Sequence, residues 1–172
     1  MDARKESDAT PMKNRTNLER RSDRELVITR TINGPARLVF EAWTKPELLE
    51  QWWVPKSTGL SLRSCEADVR VGGSYRLVFN VPGSEPMAFF GKYLEVTPCS
   101  RLAWSNEEAG DAGQVTTVTF EERAGKTLMV VHELYPSKDA LDAARASGVE
   151  EGTLEAFEQL DELIAAGAAS VH

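Results

Sequence analysis

Cysteine and histidine are scarce in this sequence. Cys65 and Cys99 are the only cysteines among 172 residues, they form no C-x-x-C pair, and only His132 and His172 could join them as ligands. A structural zinc site needs four such groups at short spacing, so no metal is expected. Without a secretion signal, the two thiols are expected to stay reduced in the cytosol. No apolar run approaches the roughly 18 residues that cross a bilayer, and the first residues lack the apolar stretch of a signal peptide. A soluble, cytoplasmic chain without membrane insertion is therefore expected. Positive charge is not in excess: 20 Lys and Arg face 27 Asp and Glu, for a net charge of −7. That balance argues against nucleic acid, which is held by neutralising phosphates. G-x-S-x-G, the phosphate-binding P-loop, G-x-G-x-x-G and the His-Glu metal signature are also missing, so no cofactor is expected.

What is present is enough for one domain with its own apolar core. Residues 1–23 are polar and mix both charge signs without periodicity, which predicts a disordered extension before a domain over 24–167 and a short tail over 168–172. Glu25 to Ile32 is rich in β-branched residues, and Leu26, Ile28, Arg30 and Ile32 share one face of the strand it predicts. Asn33-Gly34-Pro35 ends that strand and opens a short helix carrying Ala36, Val39, Phe40 and Trp43. Thr44-Lys-Pro-Glu47 matches a capping box, and Leu48, Leu49, Trp52 and Trp53 follow until Pro55 stops the helix.

From about Leu60 to Leu134 apolar and polar residues alternate in runs separated by turn residues, the pattern of an antiparallel meander. Strands are expected near 60–68, 74–81, 87–96, 101–106, 115–123 and 127–135. Gly72-Gly73, Pro82-Gly83, Thr97-Pro98, Asp111-Ala-Gly113 and Ala124-Gly125 supply the turns. Lys138 to Ala146 is helix-prone, and Ser147-Gly-Val-Glu150 reads as a second capping box. It opens the strongest helix, whose stripe is Leu154, Phe157, Leu160 and Ile164 and whose stop is Gly167. At about 19 residues and 1.5 Å per residue this helix is near 28 Å long, enough to cross a whole sheet. The fold class expected is α+β: a curved antiparallel sheet of about seven strands around a long C-terminal helix, with two short helices after the first strand. A curled sheet and one cylinder leave a gap between them, so a ligand cavity is expected there.

The residues from Thr29 to Trp53, Thr-Arg-Thr-Ile-Asn-Gly-Pro-Ala-Arg-Leu-Val-Phe-Glu-Ala-Trp-Thr-Lys-Pro-Glu-Leu-Leu-Glu-Gln-Trp-Trp, resemble the opening of the Hsp90 ATPase activator homologue branch of the START-like, Bet v 1-like (SRPBCC) superfamily. Glu66 to Tyr75, Gly91 to Pro98 and the helix from Gly148 to Ala165 extend the resemblance over residues 24–166. It implies the helix-grip fold. It does not imply one chemistry, because the scaffold hosts lipid carriers, hormone receptors and polyketide cyclases. The first domain of the eukaryotic Hsp90 activators has no counterpart in the 23 residues before the domain, so the resemblance carries no expectation of ATPase stimulation.

The function expected is binding of a hydrophobic or aromatic small molecule. The alternatives are a cyclase, dehydratase or hydrolase acting on a held aromatic or polyketide-like substrate, and a chaperone-associated role. A second copy of the chain and an Hsp90-type chaperone are the macromolecular partners considered, the latter by family analogy alone. Trp53, Tyr75, Phe79, Phe89, Trp104 and Phe157 are the aromatics expected to line the cavity. His132 alternates with Leu128, Val130 and Leu134; on the concave face its imidazole would bind a ligand or serve as acid or base, and otherwise it is satisfied by a neighbour. No catalytic residue is assigned beyond that candidate. Arg30 on an apolar strand face needs a carboxylate or a ligand anion, with Glu66, Asp68 and Glu95 as the partners in view. Asp68 and Arg70 flank the Gly72-Gly73 turn and read as a pair that fixes it.

Overall fold

A computed structural model describes residues 16–107 and 113–167. Most of the expected N-terminal extension and the tail over 168–172 lie outside the described residues. In chain order the elements are β1 (Asn17–Arg20), β2 (Glu25–Ile32), α1 (Ala36–Thr44), α2 (Pro46–Trp52), a 3-10 turn (Lys56–Thr58), β3 (Ser61–Ala67) and β4 (Ser74–Asn80). There follow β5 (Met87–Thr97), β6 (Arg101–Asn106), β7 (Gln114–Arg123), β8 (Lys126–Leu134), α3 (Lys138–Ala146) and α4 (Val149–Ala165). The strands form one curved antiparallel sheet in the order β1-β2-β8-β7-β6-β5-β4-β3. The sheet thus has eight strands among the described residues rather than about seven.

The extra strand is β1, and it falls in the segment expected to be disordered. Asn17 to Arg20 pairs with Thr29 to Leu26, so this stretch is ordered by the edge it covers rather than by apolar residues of its own. Leu18 alone packs on the core. At the opposite end of the alphabet of turns, Ala124 and Gly125 both take positive φ, 53° and 80°, as a two-residue hairpin between β7 and β8 demands.

Alternation decides what each strand buries. Leu26, Ile28 and Ile32 of β2, Val118 and Phe120 of β7, and Met129 and Val131 of β8 all enter the core on the concave face. Across that face lies α4, 17 residues long, with Phe157, Leu160 and Ile164 buried as its stripe predicts. Where α4 meets the β2–α1 corner the fit is close: a Cβ on Gly34 would collide with the side chain of Ile164.

Both expected capping boxes are absent. The Thr44 hydroxyl donates back to the Phe40 carbonyl at 2.9 Å, and α2 begins with Lys45 as the preceding residue and Pro46 in the first turn, where no N–H is needed. Ser147 likewise donates to the Ala144 carbonyl at 2.8 Å, ending α3 rather than starting α4. The residue before α4 is Gly148 at φ 94°, a left-handed position that suits glycine. The cap that does form is Ser137, whose hydroxyl oxygen accepts from the Ala140 N–H at 3.1 Å. At the tight turn before β4, Arg70 bonds both Asp68 oxygens, at 3.1 and 2.9 Å, and a Cβ on Gly73 would collide with the Asp68 carbonyl, so the expected pair does hold this turn.

Candidate functional site

The sheet, α1, α2, the end of α3 and the first half of α4 line a partly open cavity of about 530 Å³. Its apolar wall draws rings from both layers. Trp43 and Trp53 come from the two short helices and their exit, Trp104 from β6, Phe79 and Phe89 from β4 and β5, and Phe157 from α4. Trp43 is the hub: its ring centroid lies 4.8 Å from that of Trp52, 5.8 Å from Trp53 and 5.7 Å from Trp104. The pairs with Trp52 and Trp53 are edge contacts, a favoured geometry for aromatic rings, and that with Trp104 is tilted at 40°. Two indole donors are already satisfied, Trp43 Nε1 on Met129 Sδ at 3.3 Å and Trp52 Nε1 on the Ala42 carbonyl at 2.9 Å. A smaller space of about 40 Å³ adjoins, lined by Tyr75, Tyr93, Trp104 and Asn106 among others.

One end of the large cavity is polar, and strand register places it. Thr116 of β7 pairs with Glu133 of β8 on one side and with Trp104 of β6 on the other, while Asn106 pairs with Gln114. These residues therefore share the concave face at the strand ends nearest α3. Asn106 Nδ2 donates to Thr116 Oγ1 at 2.9 Å, and the Thr116 hydroxyl donates to Glu133 Oε1 at 2.7 Å. The Tyr75 hydroxyl donates to the Ser105 carbonyl at 2.7 Å and lies 3.4 Å from Asn106 Oδ1. Tyr135 follows on the cavity wall; burial first, and the Glu133 carboxylate next, push its phenol above the usual range, so it stays protonated.

Gln159 of α4 fastens that helix to the segment that follows α2. Its Nε2 donates to the carbonyls of Trp52 and Val54 at 3.0 and 2.9 Å, and its Oε1 accepts from the Lys56 N–H at 2.9 Å. Glu155, one turn earlier, accepts from the Ser57 hydroxyl at 2.5 Å and from the Ser57 N–H at 3.0 Å. These bonds, the hydroxyl first, hold the Glu155 carboxyl below its usual range.

Five of the aromatics singled out from the sequence, Trp53, Phe79, Phe89, Trp104 and Phe157, line the large cavity, and Tyr75 lines the small one. His132 does not reach either. It lies on the outer face of β8, where Nε2 sits 2.8 Å from Glu25 Oε2 and holds that carboxyl below its usual range. Arg30 is buried, yet its partner comes from α4 instead of the strands considered: Arg30 Nη2 bonds Asp161 Oδ2 at 3.0 Å and Nη1 bonds Thr16 Oγ1 at 2.6 Å. Arg30 thus ties β2 to the helix and does not line the cavity. Glu95 pairs with Arg101 at the surface. Sequence reasoning missed Asn106, Thr116, Glu133 and Tyr135; the signal for them is the inward alternation of β8 through Met129, Val131 and Glu133.

Among the described residues no three His, Cys, Asp or Glu side chains gather as a metal site, and no helix is long and apolar enough to cross a membrane. Cys65, packed against the core beside Glu50, Glu47 and Glu66, has its thiol pushed up to about 11, chiefly by burial, and is a poor nucleophile.

Comparison with known proteins places this architecture. No curated protein sequence matches the chain. Among solved structures, a protein from Nitrosomonas europaea is 26% identical, with a TM-score of 0.78 over 86% of this chain and 98% of that one. A protein from Rhodobacter sphaeroides is 24% identical with a TM-score of 0.80, covering 88% and 98%. An AHSA1-like protein from Aeromonas hydrophila, 19% identical, has a TM-score of 0.66 over 85% and 96% and shares the fold. The family described as "Activator of Hsp90 ATPase homolog 1-like protein" matches residues 33–165. By that match, which spans α1 to the end of α4, the chain belongs to the activator of Hsp90 ATPase homolog 1-like family.

Proposed function

We propose that this protein binds a hydrophobic or aromatic small molecule in the cavity between its sheet and α4. The observation that carries the reading is the cavity itself, about 530 Å³ and lined by seven tryptophan and phenylalanine residues. Ligand pockets in proteins run from about 300 to 1,000 Å³ and combine apolar walls with a few placed polar groups. Exposed apolar surface of this extent, gathered in one concave site between sheet and helix, is a feature to be explained. A binding role also suits the side chains present, since His132 and Cys65 offer no nucleophile and base facing a common ligand. A chaperone-associated role rests on the family description alone.

Titration with the neutral fluorophore N-phenyl-1-naphthylamine tests the reading. Saturable emission enhancement with one site per chain is expected, together with quenching of the cavity tryptophans. Native mass spectrometry of protein taken from cells then asks what occupies the site. A chain that binds no such probe and retains nothing from the cell contradicts the proposal.

A further inference from the structure

Resting on that reading, the hydrogen bonds left unmade on the cavity wall describe the ligand. The indole N–H groups of Trp43 and Trp52 are satisfied inside the protein, on Met129 Sδ and the Ala42 carbonyl. Three other donors on the same wall are not. The Trp104 indole N–H, the Tyr135 hydroxyl and the Gln114 amide make no hydrogen bond among the described residues, and none of them is sealed within the packing. Trp104 and Tyr135 are only 8% and 5% exposed, so what can be reached of them is reached from the cavity they line. Buried donors are rarely left unpaired, and an indole N–H or a phenol O–H is satisfied by an acceptor.

Strand register sets two of these donors side by side. Val115 of β7 pairs with Leu134 of β8, so one step further along the same ladder Gln114 faces Tyr135. The Tyr135 N–H bonds the Arg24 carbonyl at 2.8 Å, which continues the pairing of β2 with β8 to that residue. Opposed side chains on one face start about 5 Å apart, close enough for both to reach one group of a ligand. Burial keeps the phenol in its donating form. No Lys, Arg or His side chain among the described residues lines the cavity, whereas Glu133 does. A carboxylate ligand would therefore enter without a cation to offset it and toward a like charge.

We propose that the ligand is an uncharged apolar or aromatic molecule with a carbonyl-type acceptor, its body seated against Trp53 and Phe157 and its oxygen held by the Tyr135 hydroxyl with the Gln114 amide beside it. Trp104, on the strand beyond β7, offers a further donor to a ligand with a second acceptor. A few placed donors in an apolar wall fix orientation as well as affinity, because a ligand without the acceptor leaves those donors unmet.

Displacement of N-phenyl-1-naphthylamine by three probes of one shape tests this: 2-acetylnaphthalene, 2-isopropenylnaphthalene, in which a methylene group replaces the carbonyl oxygen, and 2-naphthoate. A neutral hydrogen bond is worth about threefold to tenfold in affinity, so Tyr135→Phe is expected to weaken the ketone by that factor while leaving the hydrocarbon within about twofold. The naphthoate is expected to bind at least about tenfold more weakly than the ketone at neutral pH. Isotope-edited infrared spectroscopy of carbonyl-labelled 2-acetylnaphthalene gives a second measurement. The bound carbonyl stretch is expected below its position in cyclohexane, and to rise in Tyr135→Phe. A ketone that loses no more than the hydrocarbon in Tyr135→Phe, a wild-type carbonyl stretch at the cyclohexane position, or naphthoate binding as tight as the ketone's overturns the proposal. The hydrocarbon separates this failure from that of the cavity: if it displaces the fluorophore, the cavity stands whatever the ketone does, and if neither fluorophore nor neutral probe binds, both readings fall. The infrared measurement on the wild-type protein decides the matter even where the variant does not fold.

Discussion

From Leu160 to Ala165, α4 fills the concave face of the sheet; from Val149 to Ala156 the same helix leaves a chamber. The difference is side-chain volume. Leu160, Leu163 and Ile164 are all buried, and the last presses so closely on Gly34 that no side chain fits there. The first half carries Gly152, Thr153 and Ala156 toward the same sheet, with Gly148 just before it, and these line the cavity. A helix can thus be core at one end and container wall at the other through the sizes of a few residues.

Asp161→Ala in the filled half is expected to do the most damage. It leaves the Arg30 guanidinium, 3% exposed, without its carboxylate, and should cost about 3–5 kcal/mol in urea unfolding, the penalty of breaking a buried pair. Leu160→Ala, at a fully buried position, should cost about 2–5 kcal/mol by the same measurement, through lost burial and the hole left behind. Neither should abolish probe binding at temperatures where the chain is folded. In the open half the ranking of stability and binding reverses. Ala156→Phe places a ring in the chamber, so it should lower naphthyl-probe affinity by about tenfold or more while costing less than the roughly 1–3 kcal/mol of an overpacked core. Equal destabilisation by Ala156→Phe and by core overpacking would break the comparison.

The gentlest change is Gly152→Ala. A Cβ there would meet only Pro55 Cγ, at 3.8 Å, an ordinary contact. Replacing glycine inside a helix should therefore raise stability by about 0.5–1 kcal/mol, visible as a higher melting temperature, with probe affinity nearly unchanged. A fall in melting temperature would show that the open half is more tightly fitted than its geometry indicates.

Much of this architecture was legible in the residues, for reasons that differ by element. The stripe of α4 and the inward set of β2 repeat at their proper periods, and such repetition survives small errors of boundary. β1 was not legible because Asn17-Leu-Glu-Arg20 has one apolar residue and owes its conformation to the neighbouring strand. The capping boxes misled because Thr44 and Ser147 each close the preceding helix, a use of the same hydroxyl that spacing cannot distinguish. β8 explains the largest miss at the site. Leu128 and Val130 on one face match Met129 and Val131 on the other, so hydrophobicity alone does not say which face turns inward. His132, the one histidine within residues 24–167, faces outward, and the inward group is its neighbour Glu133.

The pairing of β2 with β8 also sets an order in time. Val27 lies opposite His132, so the second strand meets its inner neighbour only after roughly a hundred further residues have been made, and pairings of such long separation form slowly. At a synthesis rate of about 5–20 residues per second, β2 waits on the order of 5 to 20 seconds on the ribosome with that edge open. The hairpins from β3 to β7 can form within this interval, because each strand there pairs with the next. β8 is the closing piece of the nascent sheet, and α4, emerging after it, seals the core last.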